Sequence, residues 1–572
     1  MAANDSGRVA PGDQRHVAPA SERPASAGAA RVEDPGRPRA TSAGEDPPRR
    51  GGKLALSTAF FSFATGLSRV AGLAREVVAA SYFGVTGTMS AFTIAFQVPN
   101  LVRALFADMA LQGAFVPVFT DLLERGERRE AFRVASSLFF LITLVLGGIT
   151  ALLVLAAPAV IPVVAPGFDD DPALRDLTVA LSRVLFPIVV LLGLSGLVVG
   201  MLNSFEHFSV PALAPLAWNL VIIGALVGLT PAFPEEDQIY AYAIGVLAGT
   251  VVQLLLPTPW LRGRGGRLTL TLDWRSPHVR RVLALMLPVT ITLGLINFSL
   301  LVNSFFGTLV SEQAPAAIDK AFRIYMLPQG IFSIAIATIL FPTLSRFAAR
   351  GALDDMRRTM ANGVRQIGLL LIPSAAILAV LAEPITRLVY ERGVFGAAAT
   401  DLVSEAMLVW AFSLPFQGAS LLYSRTFFSL QRPWTTTALA GASLLVNALV
   451  ALALYRPLGI SGVVLGTVVA TIGLSVAQAV FLSRDLDGVE ARKTASATVR
   501  MLVAAAALAL VAFLAWRVLD EALGRSLAAQ VVSVGSGIVA GLAVYTAIVF
   551  ALRVPEARQI ARLVAERLPR RG

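Results

Sequence analysis

From Leu54 onward the chain repeats one pattern: a long apolar run, then a short polar or arginine-rich stretch. Fourteen such runs lie at 54–82, 87–119, 132–157, 174–202, 210–230, 239–261, 279–310, 315–346, 359–382, 402–428, 434–455, 459–483, 497–519 and 526–552. Each meets or approaches the ~20 residues a helix needs to cross the hydrocarbon core. The predicted fold is therefore an all-α polytopic membrane protein of about fourteen transmembrane helices.

The polar connections alternate in charge. Arg125, Arg128, Arg129 and Arg133 fall on one side, with the arginines of 262–281, 346–358, 484–500 and 553–571. The alternate connections are poor in basic residues: 158–173 carries Asp169-Asp170-Asp171 and 231–238 carries Glu235-Glu236-Asp237. Arg387 and Arg392 are exceptions, offset by Glu383 and Glu391. The positive-inside rule then places both termini in the cytoplasm of a bacterial inner membrane.

A weak internal repeat recurs at an offset of roughly 225–230 residues, the mark of two lobes related by an axis along the membrane normal. Val98-Pro99-Asn100, Phe115-Val116-Pro117 and Arg125-Gly126 echo Leu327-Pro328-Gln329, Leu340-Phe341-Pro342 and Arg350-Gly351. Gly167-Phe168 with Phe186-Pro187 echoes Val394-Phe395 with Leu414-Pro415. The expected organisation is an N-lobe at 53–270 (helices 1–6), a C-lobe at 271–484 (helices 7–12) and helices 13 and 14 at 485–552. Residues 1–52, rich in Ala, Arg, Pro, Gly and Ser, are too polar to bury a core and read as a disordered cytoplasmic tail without a signal peptide. Residues 553–572 read as a basic cytoplasmic tail.

Composition narrows the chemistry. Of 572 residues, 56% are hydrophobic and 15% charged, which excludes a soluble domain. Cysteine is absent, so disulfides, thiolate metal sites and cysteine nucleophiles are excluded. His16, His207 and His278 form no metal-ligand pattern. The net charge of +11 comes from arginines between spans, not from a nucleic-acid-binding domain. Only Lys53, Lys320 and Lys493 are lysine, a bias that reads as a GC-rich genome. The one Gly-Lys pair, Gly52-Lys53, is followed by Leu54, so there is no Walker A motif and no sign of an enzyme.

The informative residues are charges inside spans. Arg69 and Arg75 lie in span 1, Arg103 in span 2 and Arg323 in span 8. Four arginines in hydrocarbon would cost on the order of 10 kcal/mol by insertion scales, so they are expected to line a wet cavity. Arg69 and Glu76, seven residues apart, share a helical face, with Arg75 turned away by about a third of a turn. Asp108 follows Arg103, and Asp319 precedes Arg323 by one turn. One reading is interhelical glue between opposite charges. The other is an anion site, for which the arginine fork suits phosphate or pyrophosphate. Pro99, Pro187, Pro288, Pro328, Pro373 and Pro415 are candidate bending points within spans.

With these residues in place, the chain resembles the MurJ (MviN) lipid II flippases of the MOP exporter superfamily over about residues 54–552. The resemblance rests on Ser68-Arg69-Val70 through Arg75, Val98-Pro99-Asn100-Leu101-Val102-Arg103 and Ala114-Phe115-Val116-Pro117. It continues through Ala165-Pro166-Gly167-Phe168, Gly200-Met201-Leu202-Asn203, Leu327-Pro328-Gln329-Gly330 and Glu391-Arg392-Gly393-Val394-Phe395. It implies a cationic central cavity in which Arg69, Arg75, Arg103 and Arg323 take the pyrophosphate of lipid II, with Glu76 and Asp108 as supporting charges. It also implies a groove with spans 13 and 14 for the polyprenyl tail, and alternating access. Many members carry Asp where Ser90 stands. Spans 7, 11 and 12 keep Asn303 and Asn447 but hold no Asp or Glu, unlike relatives with an acidic sodium site. No cofactor is implied; coupling to a monovalent cation or to membrane potential stays open. The expected partners are lipid II, membrane lipids and cell-wall synthesis proteins. Two rivals stand beside this reading: an exporter of another substrate within the superfamily, and a non-transporting scaffold for wall synthesis.

Overall fold

The computed structural model describes residues 49–106, 109–264, 266, 268–269, 271–559 and 561. The chain divides into residues 1–54 and 55–572. The helices of the second unit carry everything below. Among the described residues there are helices and turns but no strand, as expected where lipid leaves each segment to satisfy its own backbone.

The first six apolar runs become α1 (Arg49–Phe83), α2 (Gly87–Phe106) with α3 (Met109–Glu124), α4 (Arg128–Val164), α5 (Pro172–Leu185) with α6 (Ile188–Ser204), α7 (Ser209–Leu229) and α8 (Ile239–Leu255). The next four become α9 (Pro277–Val310), α10 (Ala314–Pro328) with α11 (Ile334–Ala349), α12 (Leu353–Val380), and α14 (Ala397–Ala411) with α15 (Leu414–Ser429). A short amphipathic helix, α13 (Ala382–Tyr390), follows α12. The last runs become α16 (Pro433–Asp485), α17 (Ala491–Leu523) and α18 (Leu527–Ala551). Nine helices among the described residues are long and apolar enough to cross a membrane, or ten if the bent pair α14–α15 is one span.

Several predicted proline bends fall where helices break. Phe186-Pro187 separates α5 from α6. Pro328 is followed by a π-helical turn at Gln329–Ser333, because proline has no N–H to continue the ladder. α14 and α15 meet at 50° just before Pro415. Pro99 and Pro373 instead stay inside continuous helices.

The expected spans at 434–455 and 459–483 are two helical arms of α16 that reverse direction at Gly459, whose φ of 56° and ψ of −132° are open to glycine. Its two arms lie side by side: Ser443 Oγ donates to the Ala470 carbonyl at 3.0 Å, and a Cβ on Gly466 would sit 2.7 Å from the Asn447 carbonyl. α9 packs on these arms and also on α2 and α3. α17 and α18 pair with each other, and α17 lies along α12. One buried cluster runs through both halves of the sequence, from Phe83 and Phe92 to Tyr325, Trp410 and Phe427.

Candidate functional site

Glu76 is the hub of the site. It sits near the end of α1 at the arginine-poor face, with its side chain only 4% exposed. Lys320 of α10 donates to Glu76 Oε2 at 2.8 Å. Arg323, one turn further along α10, places Nη1 3.1 Å from Glu76 Oε1. Arg75 donates to the same Oε1. Arg323 also grips Asp319 with two bonds, Nε to Oδ2 at 2.8 Å and Nη2 to Oδ1 at 3.3 Å. Three cations therefore meet two carboxylates, leaving one positive charge in excess.

Aromatic side chains wall this cluster. The Arg75 guanidinium lies 4.6 Å from the centre of the Trp218 ring. Lys320 Nζ lies 5.8 Å from that of Tyr390, whose hydroxyl donates to the Lys320 carbonyl at 3.4 Å. Tyr242 stacks on Phe92 with centroids 3.9 Å apart. Low-polarity walls strengthen charge interactions and raise the cost of leaving any charge unmatched.

Exposure sorts the cations. Arg323 keeps 32% of its side chain accessible, whereas Arg75 keeps 8% and Lys320 none. Arg69 is exposed, and its Nη1 lies 3.6 Å from where a Cβ on Gly330 would stand, so it faces the π-helical turn. No acidic partner of Arg69 occurs among the described residues. Although Arg69 shares a helical face with Glu76, Glu76 is held by Arg75 and by two residues of α10. The backbone of Arg103 lies in α2, its side chain is outside the described residues, and so is Asp108. The Arg323–Asp319 pair is as the one-turn spacing suggested.

Lys320 escaped the reading of the sequence. The signal was present, since a lysine inside an apolar run is rare and only three occur in the chain. Ser90 has a use of its own: its Oγ accepts from the Ala316 N–H at 3.1 Å, capping the start of α10 from α2. Asn303 and Asn447 also meet. Asn447 Nδ2 donates to Ser299 Oγ at 2.8 Å, and Thr467 Oγ1 donates to Asn303 Oδ1 at 3.0 Å.

Contacts at the arginine-poor face join the sequence halves. The Val394 N–H donates to the Ser81 carbonyl at 2.9 Å, and the Gly167 N–H donates to Thr308 Oγ1 at 3.3 Å. The glycines are required sterically. A Cβ on Gly167 would fall 1.9 Å from the Thr308 carbonyl oxygen, and one on Gly393 (φ +62°) 2.2 Å from that of Ser81.

A family model described as "Lipid II flippase MurJ" matches residues 79–530. The chain belongs to the lipid II flippase MurJ family. A "Probable lipid II flippase MurJ" of Rhizobium meliloti (strain 1021) is 32% identical over 505 residues, covering 87% of this chain and 94% of the relative. The "Lipid II flippase MurJ" of Burkholderia cenocepacia is 31% identical over 354 residues, covering 61% of this chain and 68% of that one. Among solved structures, "Lipid II flippase MurJ, inward closed conformation" shares the fold with a TM-score of 0.71 at 22% identity, covering 86% of this chain and 99% of its own. An inward-facing multidrug resistance MATE transporter of the MOP superfamily shares it less closely, with a TM-score of 0.61 at 16% identity over 75% of this chain and 95% of that one. The MurJ-family assignment and the helical body together identify a multi-pass membrane transporter.

Proposed function

We propose that this chain is a lipid II flippase, moving the polyprenyl-pyrophosphate-linked peptidoglycan precursor from the cytoplasmic to the outer leaflet. Its family relatives carry that name. The observation that carries the reading is the buried cluster on Glu76, where Arg75, Lys320 and Arg323 outnumber the carboxylates. Arg69, Arg75, Arg103 and Arg323 bind the pyrophosphate, with Glu76 and Asp108 tuning them. A superfamily exporter of organic cations would want carboxylates in excess instead.

No covalent step and no cofactor are needed. The barrier is the transfer of a polar headgroup through hydrocarbon, and a wet cationic path lowers it. Two six-helix lobes rock about the site, both termini face the cytoplasm, and the arginine-poor face is the outer one. The contacts of Val394, Gly167 and Ser90 support an outwardly closed state. An anion leaving a negative interior moves downhill by about 2.3 kcal/mol per charge per 100 mV, so membrane potential gives export its direction. The polyprenyl tail stays in lipid beside α17 and α18.

The test is expression in bacteria depleted of their own lipid II flippase, reading lipid II accessible at the outer leaflet. Restoration by this chain, lost in Arg103→Ala at equal membrane level, is expected. A well-expressed chain that restores nothing would refute the assignment.

A further inference from the structure

Lys320 belongs to the ion cluster yet cannot reach what the cluster would bind. Its side chain has no exposure, Tyr390 covers it, and its ammonium is spent on Glu76 Oε2. Arg323 is placed differently. It shares Glu76 Oε1 with Arg75, holds Asp319 with the rest of its fork, and is a third exposed.

We infer that Lys320 is a charge-setting positioning residue: it satisfies Glu76 permanently, so that Arg323 is free to turn from Glu76 to the pyrophosphate. This rests on the flippase reading and adds a residue to its site. The physical argument concerns what is left behind. An anion that draws Arg323 away deprives a 4%-exposed carboxylate of a partner. A buried carboxylate with too few partners is costly, and that cost would be subtracted from substrate binding. With Lys320 on one carboxylate oxygen and Arg75 on the other through a single Nη of a fork whose remaining N–H groups can meet the pyrophosphate, both oxygens stay matched when Arg323 leaves. Without Lys320 the five-group cluster has no excess charge, and Arg323 becomes a partner that Glu76 cannot release.

The residue types fit these two tasks. An ammonium is a compact point charge that suits a single oxygen in a closed space, whereas a guanidinium fork can hold one anion while engaging a second. Lys320 and Glu76 also belong to α10 and α1, so their bond keeps those helices together whichever anion Arg323 holds.

The experiment measures affinity of the purified full chain in nanodiscs for lipid II and for polyprenyl pyrophosphate lacking the sugar and peptide. Lys320→Met is expected to weaken both by about tenfold or more, the scale on which truncating one member of a buried charge pair is felt. Removing the stranded charge as well, in Glu76→Gln/Lys320→Met, is expected to bring affinity back to within about threefold of wild type, since replacing both members of a buried pair is often tolerated. Lys320→Arg, which keeps the charge, should retain more affinity than Lys320→Met. Wild-type affinity in Lys320→Met would overturn the inference, and so would a double variant that folds but binds no better than the single one. Where Lys320→Met fails to fold, the double variant alone decides. A wild-type chain that binds neither lipid would instead sink the flippase reading; the charge pairing would then still be visible as a melting temperature lowered in Lys320→Met and restored in the double variant.

Discussion

Lys320 Nζ lies 2.8 Å from Glu76 Oε2 although 244 positions separate the two residues. The bond ties α10 to α1, and Arg323 reinforces it from one turn away. A buried carboxylate held by cations from two helices fixes their spacing while leaving a net positive site.

Arg323 is expected to be the most sensitive position of that site. Arg323→Ala removes the most accessible cation of the cluster and leaves Asp319 without its bidentate partner. Outer-leaflet lipid II in flippase-depleted cells should fall to background at normal membrane level. Arg323→Lys keeps the charge but loses the fork, so intermediate activity is expected. Full activity in Arg323→Ala would remove this residue from the site.

The closure at the arginine-poor face depends on glycine. Gly393→Ala puts a Cβ 2.2 Å from the Ser81 carbonyl oxygen at a φ of +62°, and Gly167→Ala puts one against Thr308. Backbone must move in both cases. Because the chain has no cysteine, a single reporter cysteine at Ser90, which is fully buried, has no background. Each substitution should speed labelling of that cysteine by an impermeant maleimide added from outside. Unchanged labelling would mean that the contact does not hold the arginine-poor face shut.

Much of this architecture was legible in the sequence because lipid imposes a simple rule on length and polarity. Apolar runs fell on helices, and Pro187, Pro328 and Pro415 marked breaks. The one-turn spacing gave the Asp319–Arg323 pair. What failed were choices between partners. The helical face that placed Arg69 beside Glu76 says nothing about α10, which supplies Lys320 and Arg323. Neighbours in sequence do not face each other on a helix, yet the long side chains of Arg75 and Glu76 meet. Arg387 was matched in charge with Glu383, and its partner is Asp520 of α17, which no local pattern reveals.

That Arg387–Asp520 pair predicts stability. Arg387 is 4% exposed and lies against the Trp516 ring. Breaking a buried pair by removing one partner typically costs about 3–5 kcal/mol. Asp520→Asn should therefore lower the melting temperature in detergent by several degrees, with Asp520→Glu closer to wild type. Equal melting of Asp520→Asn and wild type would show that α13 does not fasten α17.

The opposite end of α17, where it meets α12 and the end of α18, should respond to pH. Glu490 precedes α17, and the hydrogen bond from Lys493 and the one from Arg365 hold its carboxyl below the ordinary carboxylate value. Arg365 of α12 also binds Glu556, which follows α18, so one guanidinium fastens both helices. A carboxylate whose folded pKa is depressed adds stability above its unfolded value and loses it as pH falls through the folded one. The anchor is thus intact at neutral pH and weakens in acid. Hydrogen exchange at the start of α17 should accelerate in the wild type as pH falls through and below the ordinary carboxylate range, after correction for intrinsic rates. Glu490→Gln should exchange faster than wild type at pH 7, and the difference should shrink as pH falls. A difference between the two proteins that stays constant across that range would mean that the ionised carboxylate is not what anchors α17.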